Sequence, residues 1–455
     1  MTRLVLLCTL LYGLFFMGLA TLNGGVIALA IPLAIFLGAT LLVAPREIKL
    51  NLVRTLSEER VYTGTPVVVH LAIANEGARL EEIRVEDLVP ASLDVVDGDP
   101  RALVTLGAGE TLKVRYTVKG ERGQYDFSGV HVSAGDHLGL YRRQVALDAF
   151  AQLTVLPDVI KPKRVPIRPP RTRAYAGPIP ARQGGSGVEF FGVREYQMGD
   201  PQRWINWRAS ARHPRSLFTN EFEQERVADV GLILDARQQT EVQSGGGRGT
   251  LHSLFEHSVR ATASLADTFL GEGNHVGLLV YGLWLDWTAP GYGKVQRERI
   301  LNALARAEIG ESTVFDSLDY IPTRFFPSGS QLVLISPLCA DDLRMLVRLR
   351  MRGYAVLVIS PDPVAFEMQG ALAQSAAALA PMGSAAASGA AALRTAREVA
   401  LAARIARVER GLLLRQIKQA GIRVVDWDVT SPIDQAIHSS LGRMPYWFRT
   451  VGWEE

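Results

Sequence analysis

Two long apolar segments stand at the start of the chain. Residues 4–22 (LVLLCTLLYGLFFMGLATL) and 26–44 (VIALAIPLAIFLGATLLVA) contain no charged residue, and only the tripeptide NGG separates them. Each segment is close to the roughly 20 apolar residues that cross a hydrocarbon core. The pattern therefore predicts a transmembrane helical hairpin over residues 1–45. A cleaved signal peptide, the rival interpretation of the first segment, would need a cleavage pattern that is missing here.

Basic residues flank the predicted hairpin at its two outer ends. Arg3 precedes the first segment, and Arg46, Lys49 and Arg54 follow the second, whereas the connecting turn has no charge. Because positively charged flanks stay on the cytoplasmic side, both ends are expected there. The sequence thus predicts two spans in the inner or plasma membrane, with the lipid bilayer as a partner and the bulk of the chain cytoplasmic.

Short alternating segments fill residues 46–160. TPVVVHLAIANEG (65–77) and TLKVRYTVKG (111–120) are two of several runs in which apolar and polar residues alternate between turn residues. A period of two is typical of strands with one buried face. This region is predicted to be an immunoglobulin-like β-sandwich that lacks the cysteine pair of antibody domains.

A basic, proline-rich linker is predicted at residues 161–184. Its first part, KPKRVPIRPPRTR (161–173), has six basic residues, four prolines and no acidic residue. Such a composition favours an extended, semi-rigid connector. Three interpretations of its charge stay open, namely contact with anionic lipid headgroups, a solvated linker, and a nucleic-acid-binding arm. The last is disfavoured because no base-reading module accompanies it.

The hydrophobic pattern changes at residue 227. VADVGLILDAR (227–237), QLVLISPL (331–338) and YAVLVISPD (354–362) are nearly continuous apolar runs, and segments with helical periodicity lie between them. Continuous apolar runs indicate strands that are buried on both faces. Their alternation with helices predicts a doubly wound, mostly parallel α/β sheet over residues 227–455.

One segment of this region does not fit the pattern. Residues 368–393 are uncharged and alanine-rich, and they contain scattered glycine, proline and serine. They are predicted to be a low-complexity, partly helical insertion rather than a third membrane span. The sequence that follows, residues 393–421, predicts a helix whose arginines either face solvent or contact an acidic partner.

Composition narrows the classes of function only a little. The chain is 48% hydrophobic and 21% charged, with a formal net charge of +3, which is ordinary for a folded protein. That charge does not indicate a nucleic-acid partner. Cys8 and Cys339 lie far apart in the chain, so a disulfide framework and a cysteine-based metal site are excluded.

The candidate chemistry is concentrated in residues 185–226. Residues 185–212 hold four arginines and three carboxylates, together with two tryptophans that are predicted to fill gaps beneath a loop. The candidate site residues are Arg194, Glu195, Asp200, Arg203, Asn206, Trp207, Arg208 and Arg212. Nearby arginines keep carboxylates ionised, which disfavours acid–base catalysis, and the nearly balanced charge disfavours phosphate binding. Two interpretations of this segment remain. One is a structural role, in which arginine–carboxylate pairs hold the segment in place, and the other is a docking surface for a partner.

The run GSGVEFFGVREYQMGDPQRWINWRASAR, residues 185–212, resembles the signature of the domain-of-unknown-function 58 family. The segment 121–143 is similar to the end of the β-module of that family. From residue 227, the order of strands and helices resembles a von Willebrand factor A domain. The resemblance implies a membrane-anchored interaction protein that is associated with a MoxR-type AAA ATPase and has no known reaction.

The same resemblance suggests a metal site that this sequence has largely lost. The adhesion motif of A domains has Asp-x-Ser-x-Ser, then a threonine, then an aspartate. Here the corresponding residues are Asp235, Arg237, Gln239, Thr313 and Ser336. Because the cationic Arg237 would repel Mg²⁺, a metal-free pair with Asp235 is expected and no cofactor is predicted. A degenerate Mg²⁺ site at Asp235, Thr313 and Ser336 is the alternative.

These observations lead to three hypotheses about function. The first is a non-enzymatic interaction or scaffold protein that works with a MoxR-type AAA ATPase, and with other membrane-associated proteins, in protein folding or complex assembly. The second is a Mg²⁺-dependent protein-binding receptor that uses the A-like domain. The third, a distant alternative, is a hydrolase that acts through Glu195 or Asp200. No nucleic-acid partner is expected.

Overall fold

The structure is a computed structural model, and it describes most of the chain in segments. The described residues are 2–43, 48–135, 142–160, 162, 165, 167, 179–213, 215–243, 253–312, 317–370 and 386–441. The chain divides into two compact units, Met1–Leu156 and Pro157–Glu455. Each unit has a hydrophobic core of its own.

The first unit begins with two helices, α1 (Thr2–Ala20) and α2 (Gly24–Val43). About 20 consecutive apolar residues are needed to cross a bilayer. The first turn of α1 contains a threonine and an arginine, and α2 begins with two glycines. Over the described part of the chain, no helix combines the length and the apolar character that a membrane span requires. The predicted transmembrane hairpin, and the two-span membrane localisation that followed from it, are therefore wrong.

Nine strands follow the two helices in the described part of the first unit. They are β1 (Leu50–Leu56), β2 (Arg60–Tyr62), β3 (Val67–Asn75), β4 (Leu80–Asp87), β5 (Leu93–Gly98), β6 (Arg101–Leu106), β7 (Thr111–Gly120), β8 (Gly123–Gly135) and β9 (Arg142–Leu156). They make two sheets, with the orders β1-β3-β7-β5 and β2-β9-β8-β4-β6. The alternating residues of β3 are buried, and Val69 and Ile73 share one core cluster with Val85 and Phe127 of the other sheet. This sandwich lies where the period-two pattern predicts strands.

A buried polar cluster joins the two sheets of the sandwich. Arg54 of β1 forms an ion pair with Asp87 at the end of β4, and both side chains are fully buried. The Arg54 guanidinium also donates to the carbonyl oxygens of Ala149 and Gly129. The hydroxyl of Tyr116 donates to Asp87 at 2.6 Å. Arg54 is thus a core residue of the sandwich and not a solvated membrane-flanking charge.

The segments of the second unit that the structure describes contain eight strands. They are β10 (Ile179–Glu195), β11 (Phe218–Arg226), β12 (Asp229–Ala236), β13 (His275–Gly282), β14 (Leu285–Gly291), β15 (Gln331–Ile335), β16 (Ala355–Pro361) and β17 (Arg423–Trp427). The helices are α3 (Trp207–Ser210), α4 (Leu254–Gly271), α5 (Gly293–Arg306), α6 (Asp342–Met351), α7 (363–370), α8 (Ala386–Gln419) and α9 (Ile433–Leu441).

Six of these strands form one sheet, in the order β14-β13-β12-β15-β16-β17. All neighbouring pairs are parallel except β13 and β14, which form an antiparallel hairpin at the edge. Seven of the eight residues of the central strand β12 are buried, as expected for an apolar run that is covered on both faces. The carboxyl ends of β12 and β15 are adjacent, so residues that follow these two strands meet.

The strands β10 and β11 form a separate antiparallel ribbon. At its end Arg194 is opposite Thr219, and Glu195 is opposite Phe218. Residues 196–217 connect the two strands and contain most of the candidate residues. We call residues 196–217 the signature loop.

The helix predicted over residues 393–421 corresponds to α8, which begins earlier, at Ala386, and ends at Gln419. The last residues of the predicted alanine-rich insertion are therefore helical. The remainder of that insertion between 371 and 385 lies outside the described residues, as do Thr313 and most of the predicted linker.

Candidate functional site

The signature loop is attached directly to the ribbon that carries it. The amide of Tyr196 donates to the carbonyl of Leu217 at 2.7 Å, and the amide of Asn206 donates to the carbonyl of Phe218 at 2.8 Å. The hydroxyl of Ser210 accepts a hydrogen bond from the amide of Phe218 at 2.9 Å. These hydrogen bonds hold the middle of the loop against Phe218, the first residue of β11. The loop is therefore a folded element and not an open connection.

An ion pair closes the first turn of the loop. Two nitrogens of the Arg194 guanidinium donate to the two carboxylate oxygens of Asp200, at 2.7 and 2.8 Å. The same carboxylate accepts the amide of Gln197 at 2.9 Å, and Gly199 supplies the positive φ of +112° that the turn requires. Hydrogen bonds from Arg194 and Gln197 lower the pKa of Asp200, which therefore stays ionised.

Asn206 connects the short helix α3 to the ribbon. Its side-chain oxygen accepts the amide of Ala209 at 2.9 Å, which is an N-cap interaction. Its side-chain nitrogen donates to the amide oxygen of Asn220 at 2.8 Å. One asparagine thus fixes both the start of the helix and its position on β11.

The two tryptophans of the signature loop have different surroundings. Trp204 packs edge-on against Phe222 of β11, with the ring centroids 5.3 Å apart, and its carbonyl accepts the hydroxyl of Thr219. Trp207 is 69% exposed. The prediction that tryptophans fill gaps beneath the loop therefore describes Trp204 and does not describe Trp207.

Several large side chains of the loop point to solvent. Trp207 and Met198 are exposed, and so are Arg203, Arg208 and Arg212. None of these three arginines forms an ion pair with a residue that the structure describes. Exposed tryptophan and arginine side chains are the residues most enriched at binding hot spots. We call these five residues the signature surface; Glu195, at the end of β10, is also exposed.

The Arg194–Asp200 pair gives the protein a pH-dependent stability. Because the folded protein lowers the pKa of Asp200, the stabilisation is present above the ordinary aspartate pKa and is lost as the pH falls through the folded value. We expect Asp200→Asn to lower the free energy of unfolding near neutral pH and to have a progressively smaller effect as the pH falls below the ordinary aspartate pKa of about 4. Urea unfolding across this range measures the difference, and Arg194→Gln should show the same dependence. A difference that is equal at every pH would contradict the prediction.

A second polar cluster lies at the carboxyl edge of the six-stranded sheet. Asp235 comes near the end of β12, and Ser336 directly follows β15. The hydroxyl of Ser336 donates to the Asp235 carboxylate at 2.6 Å. Two of the three predicted metal-site residues are thus brought together, whereas Thr313 lies outside the described residues.

The guanidinium of Arg237 lies between two carboxylates. It donates to both oxygens of Asp235, at 2.9 and 2.8 Å, and to both oxygens of Asp342, at 3.1 and 2.9 Å. The side chain of Arg237 is only 2% exposed. Burial by itself would lower its pKa, but the hydrogen bonds and charges of Asp235 and Asp342 raise that pKa well above the ordinary value. The guanidinium of Arg237 therefore stays positively charged at the carboxyl edge of the sheet.

Asp342 is the member of this cluster that the sequence analysis did not identify. It lies in the first turn of α6, where the helix dipole favours a negative charge, and it accepts the amide of Cys339 at 2.8 Å. Burial raises the pKa of Asp342, and the contacts with Arg237 oppose that rise. The acidic pair Asp341-Asp342 before an apolar helical segment was the available signal, because it marks a helix start.

Cys339 does not form a reactive thiol in this environment. Burial and the neighbouring Asp342 raise its pKa to about 11. A thiol with such a pKa is almost entirely protonated at neutral pH and is a poor nucleophile.

The residues at this edge do not fit a divalent metal ion. Mg²⁺ requires several oxygen ligands that converge with free lone pairs. Here the oxygens of Asp235 and Asp342 accept hydrogen bonds from the guanidinium, which occupies the space between them. Within the described part of the chain, no group of three or more His, Cys, Asp or Glu residues could hold a metal.

A second arginine fills the next part of the same edge. Arg410 of α8 donates to the Pro337 carbonyl at 3.0 Å, to the Ser360 hydroxyl at 3.1 Å and to Asp426 at 2.7 Å. Its Nε atom lies 3.5 Å from the carboxylate of Asp362. These partners follow or end β15, β16 and β17. Internal ion pairs therefore occupy the edge where open α/β sheets usually bind ligands.

The described residues thus define a protein that combines a β-sandwich unit with an α/β unit whose sheet edge is filled by buried ion pairs. Residues 192–373 match the model of a family described as Protein of unknown function DUF58. This match supports the corresponding part of the resemblance, and it includes both the signature loop and the Asp235–Arg237–Asp342 cluster. No match to a curated protein was found.

Solved structures are similar to parts of the chain at low scores. The CARDB domain of a Pyrococcus furiosus protein, in complex with di-metal ions, has 12% identity and a TM-score of 0.19, over 24% of this chain and 96% of that one. A FixG-related protein from Vibrio parahaemolyticus has 8% identity and a TM-score of 0.17, over 23% and 95%. A non-cellulosomal cohesin from Archaeoglobus fulgidus has 12% identity and a TM-score of 0.17, over 24% and 91%. Similarities of this size carry no argument about function.

Proposed function

We propose that this protein is a non-enzymatic interaction or scaffold protein that works with a MoxR-type AAA ATPase in protein folding or complex assembly. The main support is the signature loop. Its polar groups bind the ribbon, while Trp207, Arg203, Arg208 and Arg212 remain exposed. The choice of ATPase rests on the resemblance to the domain-of-unknown-function 58 family.

The construction of the loop favours binding over catalysis. Its backbone is held by the Arg194–Asp200 pair and by the Asn206 cap, so a partner would meet a surface that is already ordered. Association with a preorganised surface costs less conformational entropy than association with a flexible loop. Asp200 is ionised and bonded to Arg194, which makes it a poor general acid and disfavours the hydrolase alternative.

We further propose that residues 227–455 form a von Willebrand factor A-like domain that has replaced its metal with Arg237. The sheet order, with an antiparallel hairpin at one edge and parallel strands elsewhere, supports this assignment. The guanidinium between Asp235 and Asp342 disfavours the Mg²⁺-dependent receptor. Such a domain would contact its partner through protein side chains alone.

The proposal predicts that Trp207 is a hot spot for the ATPase. We expect Trp207→Ala to weaken binding of the purified MoxR-type ATPase from the same organism at least tenfold, because truncating an exposed hot-spot tryptophan costs about 2 kcal/mol or more. Isothermal titration calorimetry with the full chain measures the affinity.

The matched control for this experiment is Trp284→Ala. Trp284 is another exposed tryptophan of the second unit, and it lies outside the signature loop. Its replacement should leave the affinity unchanged, and both variants should keep the wild-type melting temperature. Absence of any complex with the ATPase, or equal affinities of the two variants, would reject the proposal.

A further inference from the structure

The outer face of α8 carries an apolar stripe that the described part of the second unit leaves uncovered. Leu401, Ile405, Val408 and Leu412 are between 52% and 64% exposed. The opposite face of the same helix packs inward, with Leu414 and Ile417 buried in the core. The helix therefore has two apolar faces. One packs against the core of the protein, and the other is the exposed stripe.

The spacing of the stripe identifies the kind of structure that would cover it. The four residues follow one another at intervals of four, three and four positions, which is the a/d spacing of a coiled coil. The stripe is narrow and contains no aromatic residue, whereas helices that lie in a membrane surface have a wide apolar face with tryptophan or phenylalanine. A second α-helix of a protein matches this pattern better than a lipid surface.

The charges beside the stripe identify the chemistry of that helix. Arg404 and Arg407 lie beside the stripe on one side, Arg415 is the next residue along it, and all three line a groove of about 380 Å³ together with Val408 and Leu412. All three arginines are exposed, and none forms an ion pair with a residue in the described segments. Carboxylates on a partner helix would complement them, since opposite charges beside an a/d seam select the partner.

Gly411 gives independent support for close approach along this groove. It lies inside α8, where glycine is about 1 kcal/mol less favourable than alanine. A Cβ atom added at Gly411 would meet no atom within 4 Å, so packing against the described part of the chain does not require a glycine there. A partner helix that crosses the groove would pack into the space that a side chain at position 411 would otherwise fill.

A second copy of the chain fits this face less well. Two α8 helices packed on each other would bring together two faces that each have three arginines along the stripe and, over residues 400–419, only one acidic residue, Glu409. Arg415 continues the stripe one step beyond Leu412, so parallel copies would also place two arginines in the seam. Like charges at these positions are unfavourable.

We infer that the outer face of α8 docks an amphipathic helix of a partner protein, with an apolar a/d seam on Leu401, Ile405, Val408 and Leu412 and with carboxylates facing Arg404, Arg407 and Arg415. This surface is separate from the signature surface. The inference therefore stands or fails independently of the MoxR partnership.

Two synthetic peptides test the inference on the full-length protein. Both have about four heptads with isoleucine at a and leucine at d, and they carry either glutamate or lysine at every e and g position. Fluorescence anisotropy measures their binding. The acidic peptide should bind at least tenfold more tightly than the basic one. The charge reversal Arg404→Glu with Arg407→Glu should invert this preference.

Surface variants locate the binding site on α8. Ile405→Gln with Val408→Gln should weaken binding of the acidic peptide at least tenfold. Gly411→Ala should weaken it without lowering the melting temperature. Met351→Gln changes an exposed apolar residue of α6 and is the matched control, which should bind like wild type. Since these positions are exposed or, at Gly411, half-buried, melting temperatures should show that each variant folds.

Four results would overturn the inference. The first is equal affinity for the two peptides, and the second is an affinity that Ile405→Gln with Val408→Gln leaves unchanged. The third is a wild-type dimer in sedimentation velocity that this double variant dissociates, which would assign the face to a second copy. The fourth is binding to phosphatidylglycerol vesicles that the same variant abolishes, without binding of the acidic peptide, which would assign it to a lipid surface.

Discussion

Replacing Arg237 with methionine is expected to lower the free energy of unfolding by about 3–5 kcal/mol, the range measured when one partner of a buried ion pair is removed. The substitution leaves the carboxylates of Asp235 and Asp342 buried and close together without the cation that separates them. Methionine fills a similar volume, so the loss is mainly electrostatic. Urea unfolding followed by circular dichroism measures the change.

Companion variants separate charge from geometry in this cluster. Arg237→Lys keeps the positive charge but cannot make the forked contacts with two carboxylates, so an intermediate loss is expected. Adding Asp342→Asn to Arg237→Met removes one of the two stranded charges and should restore part of the stability. A loss below about 1 kcal/mol for Arg237→Met would contradict the prediction. So would a wild-type melting temperature that rises with Mg²⁺, because the ion would then bind between the two carboxylates in place of the Arg237 guanidinium.

The Asp235–Arg237–Asp342 cluster could be predicted from the sequence only in part. Arg237 is two positions from Asp235, and a cation so close to a metal-type aspartate predicts a metal-free pair. The hydrogen bonds between them confirm that Arg237 pairs with Asp235. Asp342 is 105 positions away from Arg237, and only the sheet order brings the start of α6 to the end of β12. Periodicity predicts strands and helices, but it does not specify which loops meet at a sheet edge.

The structure of the signature loop could also be predicted from the sequence only in part. The near balance of arginines and carboxylates predicts internal pairing, and Arg194 does bind Asp200. The sequence does not say that the other arginines stay exposed, since the choice depends on how the loop folds onto β11. For the same reason Trp204 and Trp207 are equivalent in the sequence and differ in burial.

The incorrect hairpin prediction has a different cause. It used apolar composition over 19 residues and the flanking charges, and neither quantity contains information about packing. Arg54 illustrates the limit, because it counted as a membrane-flanking cation and is a buried residue of the sandwich. A charged residue at an alternating position of a strand can point inward when a buried carboxylate is its partner, and here Asp87 supplies it.

Asp87→Ala is therefore expected to have the second large effect, a loss of about 3–5 kcal/mol in the free energy of unfolding, because it strands the Arg54 guanidinium in the core. Tyr116→Phe removes one hydrogen bond to the same carboxylate and keeps the ion pair, so it should cost less, about 1.5–3 kcal/mol. Chemical denaturation of the full chain, with fluorescence and circular dichroism read together, gives both values.

Glu86→Ala is the matched control, because Glu86 precedes Asp87 in β4 and pairs with Arg101 at 2.9 Å on the exposed face. Exposed pairs contribute about 0–1 kcal/mol, so the two neighbouring substitutions should differ by several-fold in cost. Burial is the variable that separates them, since each removes a carboxylate from an arginine. If both variants lost the same stability, the Arg54–Asp87 pair would not be the connection between the two sheets that the structure indicates.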